Sequence, residues 1–304
     1  MFFNIPLCYN RVLMGSTLNI PSSWEKLELE KLTGTIMIVG GTDTGKSTFS
    51  SYLYQRLQSM GFRVGFLDGD PGQSALGPPT TMSLIFNENP EAVDSYTNTY
   101  KRCFVGSTTP QGHMLHTLIG ASKLVRAAIE MGAEVVIYDT SGLISVQQGG
   151  VALKSAKIEL FRPTTLFAIQ YENELEPLLT PLRRSCRTQL IELYPSEGIL
   201  PRDPVIRREY RASQFARYFG NSRSLVIDWT EIAIFPSPLF RINRLVALED
   251  FNGFTLGLGI VIQINRNSQQ VVLHSPLSSL GHVNVVRLGD ILLDPITFRD
   301  ERIV

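Results

Sequence analysis

The sequence predicts an α/β chain: a doubly wound, mainly parallel sheet, followed by a small β-rich C-terminal domain. Three observations carry this reading. The run Thr35-Ile36-Met37-Ile38-Val39 is continuously apolar and rich in β-branched residues, as a strand buried on both faces of a parallel sheet requires. Similar runs at 63–67, 135–138 and 165–169 alternate with stretches of helical periodicity. From about Leu225 that periodicity fades into aromatic and β-branched runs punctuated by Gly253, Gly257 and Gly259.

Taken in order, residues 1–33 read as an N-terminal arm, and the first strand follows it. Beyond a glycine-rich loop, Phe49, Leu53, Leu57 and Met60 recur at helical spacing, with Gly61 as a stop. The second strand ends at Asp68 and a later one at Asp139, with a helix over 116–131 between them. In such sheets ligands bind at the carboxyl ends of the strands, so both acids fall where a site is expected. The segments 260–262 and 271–273 flank an Asn265-Arg266-Asn267-Ser268 turn and predict a hairpin. The organisation expected is therefore 1–33, a nucleotide-binding domain over 34–224 and a β-rich domain over 225–304, without repeats or low-complexity tracts.

Bulk properties narrow the function classes. With 43% hydrophobic and 18% charged residues, the chain has the composition of a folded globular protein. Lys plus Arg equal Asp plus Glu at 28 each, so no global positive field marks a nucleic-acid binder, and any polyanion site must be local. Cys8, Cys103 and Cys186 are widely spaced and contain no CxxC, against a disulfide framework or a zinc site. A reducing cytoplasm fits, or the nucleus in a eukaryote. The apolar start is broken by Asn4, Asn10 and Arg11 and is not read as a signal peptide. No run reaches the ~20 apolar residues of a membrane-spanning helix, so no membrane association is expected.

Gly40-Gly41-Thr42-Asp43-Thr44-Gly45-Lys46-Ser47 matches GxxxxGK[ST], between a strand and a helix. Its glycines let backbone N–H groups converge on phosphate oxygens at a helix N-terminus, where the dipole already favours negative charge. Lys46 then reaches the β- and γ-phosphates, Ser47 places its hydroxyl on Mg²⁺, and Thr48 adjusts the loop. The implied ligand is Mg-ATP on a sheet of the P-loop NTPase type.

Asp68-Gly69-Asp70-Pro71-Gly72-Gln73 leaves the second strand with two carboxylates, beside the phosphate loop if the first two strands are near neighbours. One carboxylate can hold the Mg²⁺ water shell while the other accepts a proton from an attacking hydroxyl.

Together, GGTDTGKST, DGDPGQ with Asp70 24 positions after Lys46, Asp139-Thr140-Ser141-Gly142 and the segment YRASQFARYF resemble the polynucleotide 5′-hydroxyl kinases. These are RNA kinases related to the pre-mRNA cleavage-factor kinase subunit and the nucleolar pre-rRNA processing kinase, with shorter archaeal and bacterial relatives. The resemblance runs from about Trp24 to Phe219. It implies transfer of the γ-phosphoryl group of ATP to the 5′-hydroxyl of RNA or DNA. It makes Asp70 the general base, Asp68 a metal-shell residue, and Thr140, Ser141 and Gly142 a clasp on the nucleotide phosphates and substrate end. Asp139 is given a secondary place in the metal shell, where these kinases often have asparagine. Many eukaryotic members carry tryptophan at the position of Leu143. The family's RxxxR lid over the γ-phosphate maps to Arg207 and Arg211, although Arg183 and Arg187 share that spacing.

From Arg183 to Arg223 there are nine arginines, no lysines and four acids, a local basic surface in a neutral chain. The hydroxyl-rich segment 104–113 either lines a substrate groove or is a structural loop, and His113 is not assigned to catalysis. Lys154 and Lys157, on the helix after the clasp, are read as surface residues, with contact to substrate phosphates as the lesser alternative. Two other readings compete with the kinase: a nucleotide-dependent switch or assembly factor of the partition-ATPase type, and, from GTDTGK, a ligase resembling dethiobiotin synthetase.

Overall fold

The structure, a computed structural model, describes residues 21–86, 99–195 and 203–303. Most of the expected N-terminal arm, with Cys8, lies outside them. The chain forms two compact units. One holds the described residues up to Asp70, those of Met82–Tyr100, and those from Pro110 to 195. The other holds Pro71–Thr81, Lys101–Thr109 and the described residues from 203 on.

The first unit is built on strands β1 (Gly34–Gly40), β2 (Val64–Gly69), β5 (Val135–Thr140), β6 (Thr165–Ile169) and β7 (Gln189–Leu193). They lie side by side in the order β2-β5-β1-β6-β7, all parallel. Two further strands, β3 (Thr81–Phe86) and β4 (Thr99–Phe104), extend the sheet beyond β2, with β3 antiparallel to it. Helices α1 (Lys46–Ser59), α2 (Met114–Glu130), α3 (Gly150–Phe161) and α4 (Glu176–Ser185) connect the parallel strands. The continuous apolar run at 35–39 becomes the centre of the sheet, and Ile36 to Val39 are fully buried. In α1 the helical spacing buries Phe49, Leu53 and Leu57. Met60 stays exposed as the helix ends, and Gly61 at φ +86° closes the turn.

The second unit carries an antiparallel sheet in the order β14-β13-β10-β11-β12-β8, with β9 paired in parallel to β13. Its strands are β8 (Arg223–Asp228), β9 (Ala233–Phe235), β10 (Arg244–Glu249), β11 (Thr255–Asn265), β12 (Gln270–Ser275), β13 (Val285–Leu293) and β14 (Asp300–Arg302). The hairpin expected around residues 265–268 is the β11–β12 connection, with Asn265 paired to Gln270. This unit also includes helix α5 (Pro204–Phe219), whose Phe215 and Phe219 join Leu245, Leu258 and Ile260 in one core cluster. Pro204 occupies the first turn of α5, and the Asp203 side chain caps it, accepting from Val205 N at 2.7 Å. Among the described residues no helix is long and apolar enough to cross a membrane.

Phe49 ties α1 to the sheet, with its ring edge-on to Phe167 at 4.8 Å and to Trp24 at 4.9 Å. Phe49→Ala leaves a cavity between α1 and the sheet and is expected to cost about 3–5 kcal/mol, read as a lower midpoint in urea unfolding.

Candidate nucleotide and phosphoryl-transfer site

The phosphate loop leaves the carboxyl end of β1 at the middle of the sheet and turns directly into α1. Gly45 at φ +86° sits at the N-cap, and Asp43 also lies at positive φ, +55°. A side chain at Gly40 would bring its Cβ within 2.5 Å of Ile169 O and 2.6 Å of Thr44 Oγ1, so only glycine fits there. Thr44 Oγ1 donates to Gly41 O at 3.1 Å, and Lys46 Nζ also donates to Gly41 O, folding the lysine back over its own loop. Thr42 and Ser47 are exposed, Thr48 is partly exposed, and Lys46 is buried. Burial holds the Lys46 ammonium below its usual pKa, against the fields of Asp139, Asp70 and Asp43.

Strand β5 lies between β1 and β2, so the first two strands are each one place from it rather than next to one another. The parallel register places Asp139 beside Asp68 of β2 on one side and beside Ile38 of β1 on the other. Both carboxylates are buried. Burial pushes the Asp139 carboxyl up to about 7, against the Ser47 hydroxyl bonded to it and the charge of Lys46. Its Oδ1 has no hydrogen-bond partner among the described residues. A serine hydroxyl, an orphaned carboxylate oxygen and a second carboxylate on the next strand fit Mg²⁺. That ion takes one or two protein carboxylates and fills its remaining positions with water and phosphate oxygens.

Asp70 follows from the local turn. The Asp68 carboxylate accepts the Asp70 N–H at 3.3 Å, an Asx-type contact that bends the chain after β2. Gly69 is obligatory there, because a Cβ would meet the Tyr138 ring at 2.3 Å and Asp139 O at 2.9 Å. Asp70 is partly exposed, and its charge acts on Lys46, Lys154 and Lys157.

The 140–142 segment closes the other side. Gly142 lies so close to the phosphate loop that a Cβ would be 2.9 Å from Thr42 N and Cα. The Thr140 hydroxyl donates to Ile38 O at 2.7 Å and accepts from Lys154 Nζ at 2.9 Å, so it is spent inside the protein. The buried Ser141 Oγ has no partner among the described residues and is an available donor for an anion. Tyr171, for which the sequence offered no motif, stands half-exposed after β6 and donates from its hydroxyl to Asp43 O at 3.1 Å.

Lys154 and Lys157 overturn the surface reading. They are 1% and 0% exposed on the inward face of α3. Lys157 Nζ has no hydrogen-bond partner among the described residues and sits 4.7 Å from the centre of the Tyr138 ring. Burial pushes its ammonium down to about 7, opposed by the field of Asp70.

The structure thus gathers Gly40 to Thr48, Asp68, Asp70, Asp139, Thr140, Ser141 and Gly142 at the ends of β1, β2 and β5. Arg207 and Arg211 lie on one face of α5 in the second unit, and Arg211 Nε donates to Asp300 at 3.0 Å. Arg183, the alternative lid residue, is gripped by Glu176 and Glu192 through four contacts of 2.7–2.8 Å. Those bonds hold the Glu176 carboxyl down at about 2. His113 is buried and stands at the N-cap of α2.

A glycine-rich loop between a central parallel strand and a helix, with buried carboxylates on the neighbouring strands, defines a P-loop nucleotide-binding protein. More narrowly, the chain belongs to the mRNA cleavage and polyadenylation factor CLP1 P-loop family, matched over residues 40–221. A polyribonucleotide 5′-hydroxyl-kinase of Thermococcus kodakarensis is 34% identical over 312 residues, covering 84% of this chain and 87% of the relative. One of Methanocaldococcus jannaschii is 33% identical over 216 residues, 71% of this chain. This chain spans 58% of that relative's length. The solved structure of wild-type Clp1p with Pcf11p superposes at a TM-score of 0.65 and 14% identity, covering 93% of this chain and 78% of that one. That likeness supports the same fold.

Two outcomes test this geometry. Gly142→Ala pushes the clasp off Thr42 and is expected to weaken ATP binding at least tenfold, measured by titration calorimetry, with little change in unfolding midpoint. Lys157→Met removes a buried ammonium and is expected to raise stability by about 1–4 kcal/mol. Because the folded-state pKa of Lys157 lies below its unfolded value, the penalty is complete below pH 7 and fades as pH rises toward 10.5. The gain measured by denaturant unfolding should shrink across that window.

Proposed function

We propose that this protein is an ATP-dependent polynucleotide 5′-hydroxyl kinase that transfers the γ-phosphoryl group to the 5′-hydroxyl of RNA. The observation carrying the reading is Asp70. An Asx contact from Asp68 holds it at the end of β2, where its charge acts on the phosphate-loop lysine. A switch ATPase needs a water positioned for hydrolysis, whereas this partly exposed carboxylate suits a bulky alcohol acceptor. The family match and the names of the archaeal relatives support the same chemistry.

In this reading the amides of residues 41–47 cradle the β- and γ-phosphates, and Lys46 leaves Gly41 O to neutralise the charge that builds between them. Ser47, Asp68 and Asp139 hold Mg²⁺, which when bound supplies charge neutralisation at the phosphates. Ser141 and Gly142 donate to the phosphates from the opposite side. Asp70 accepts the proton of the 5′-hydroxyl as that oxygen bonds to the γ-phosphorus, and the bond from phosphorus to the β–γ bridging oxygen breaks to release ADP. Arg207 and Arg211 keep the lid role that the family resemblance implies for them, and Arg211 is oriented by Asp300 within the second unit.

The test is transfer of labelled γ-phosphate from ATP to 5′-hydroxyl RNA and DNA oligonucleotides by the purified protein. Labelling should appear, and Asp70→Asn should reduce it by about 10²–10⁴ while ATP affinity stays within a few-fold. ATP hydrolysis without oligonucleotide labelling would instead assign the chain to the nucleotide-switch class.

A further inference from the structure

Lys154 enters the core from α3 and hydrogen-bonds to neutral oxygens, Thr140 Oγ1 at 2.9 Å and Ser141 O at 2.7 Å. Thr140 passes the connection on, its hydroxyl donating to Ile38 O at 2.7 Å. A continuous chain of hydrogen bonds therefore crosses from α3, through the end of β5, to β1 two residues before the phosphate loop begins. Burying an amine this way is costly, and methionine would fill a similar volume without that cost. A polar group kept where an apolar one would fold more readily indicates a role beyond folding.

The consequence for the clasp is geometric. In a planar trans peptide the C=O and the following N–H point in opposite directions. With Ser141 O turned onto Lys154, the Gly142 N–H is directed away from that lysine. The same peptide sets the start of Gly142, which lies against the Thr42 backbone. Neighbouring Ser141 Oγ is buried and has no partner among the described residues. The lysine thus fixes the one peptide from which two anion donors project.

We propose that Lys154 is a positioning residue for phosphoryl transfer, locking the 140–142 clasp to the strand that bears the phosphate loop. It presents the Ser141 hydroxyl and Gly142 N–H to the nucleotide phosphates in fixed orientation. This rests on reading the chain as a nucleotide phosphotransferase. Lys154 touches neither substrate, so its loss acts through the clasp.

The experiment compares wild type with Lys154→Met, Thr140→Val and the double variant. For Lys154→Met the expected results are an unfolding midpoint at or above wild type, ATP affinity weakened several-fold but less than in Gly142→Ala, and a kcat at least tenfold lower. Amide hydrogen exchange at residues 141–144 should quicken at least tenfold while that of β6 is unchanged. The double variant should lose no more kcat than the worse single one, because both changes cut the same chain. Unchanged exchange at 141–144, unchanged kcat, or additive losses in the double variant would overturn the proposal. So would a fall in midpoint with faster exchange throughout the unit, which marks a structural role alone. A wild-type protein that labels no oligonucleotide sinks the kinase reading instead, and the exchange data still decide whether Lys154 holds the clasp.

Discussion

The site depends on charges buried together at the carboxyl ends of three adjacent parallel strands. Lys46, Asp68 and Asp139 are all nearly inaccessible, and none of them would be tolerated there singly. Burial lowers the lysine and raises Asp139, and the attraction between them works against both shifts. The arrangement requires parallel pairing, because only a parallel register delivers Asp68 and Asp139 to the same end of the sheet with β1 alongside. Backbone spacing then becomes the limiting quantity. Gly40, Gly69 and Gly142 are each within 3 Å of a neighbouring atom at their missing Cβ, which lets loop, turn and clasp converge on one small volume.

Much of this is legible in the sequence, for identifiable reasons. Strands buried on both faces leave uninterrupted apolar runs, so β1, β2, β5 and β6 can be read almost to the residue. The phosphate loop can be read because its glycines and lysine answer to one ligand. The strand order cannot. Nothing in a linear sequence says that β5 inserts between β1 and β2, since that depends on how helices pack across the sheet faces. The arginines of helix α5 fit a lid and so suggest that it belongs to the nucleotide-binding domain. Its Phe215 and Phe219 instead pack among Leu245, Leu258 and Ile260, a choice made by long-range burial that local periodicity does not record.

The buried lysines of α3 show where the sequence holds a signal that residue type conceals. Gly150, Leu153, Lys154, Lys157 and Ile158 are the buried positions of that helix, spaced i, i+3, i+4, i+7 and i+8. This is an ordinary inward stripe, and Leu153 and Ile158 alone fix its direction. Treating lysine as a surface residue by default puts Lys154 and Lys157 on the wrong face. The arginines need the opposite correction. Arg183 and Arg211 share a sequence context, yet Arg183 is clamped between two glutamates and Arg211 is paired to a single aspartate. A count of local positive charge therefore overstates what is left for a polyanion.

The polar atoms left unpaired around β5 separate into two groups by their surroundings. Ser141 Oγ and Asp139 Oδ1 belong to the strand end that faces the phosphate loop. An orphaned donor and an orphaned acceptor two residues apart at one strand end are what a phosphate and its metal would complete. Tyr138 Oη and Lys157 Nζ are also without hydrogen-bond partners among the described residues, and Lys157 Nζ stands over the Tyr138 ring. The Lys157 ammonium has an aromatic face in place of a hydrogen-bond acceptor, so this second pair is a standing cost of burial. The Asp70 field acts on both Lys154 and Lys157. That field favours the charged form of both ammonium groups and so offsets part of what burial costs them.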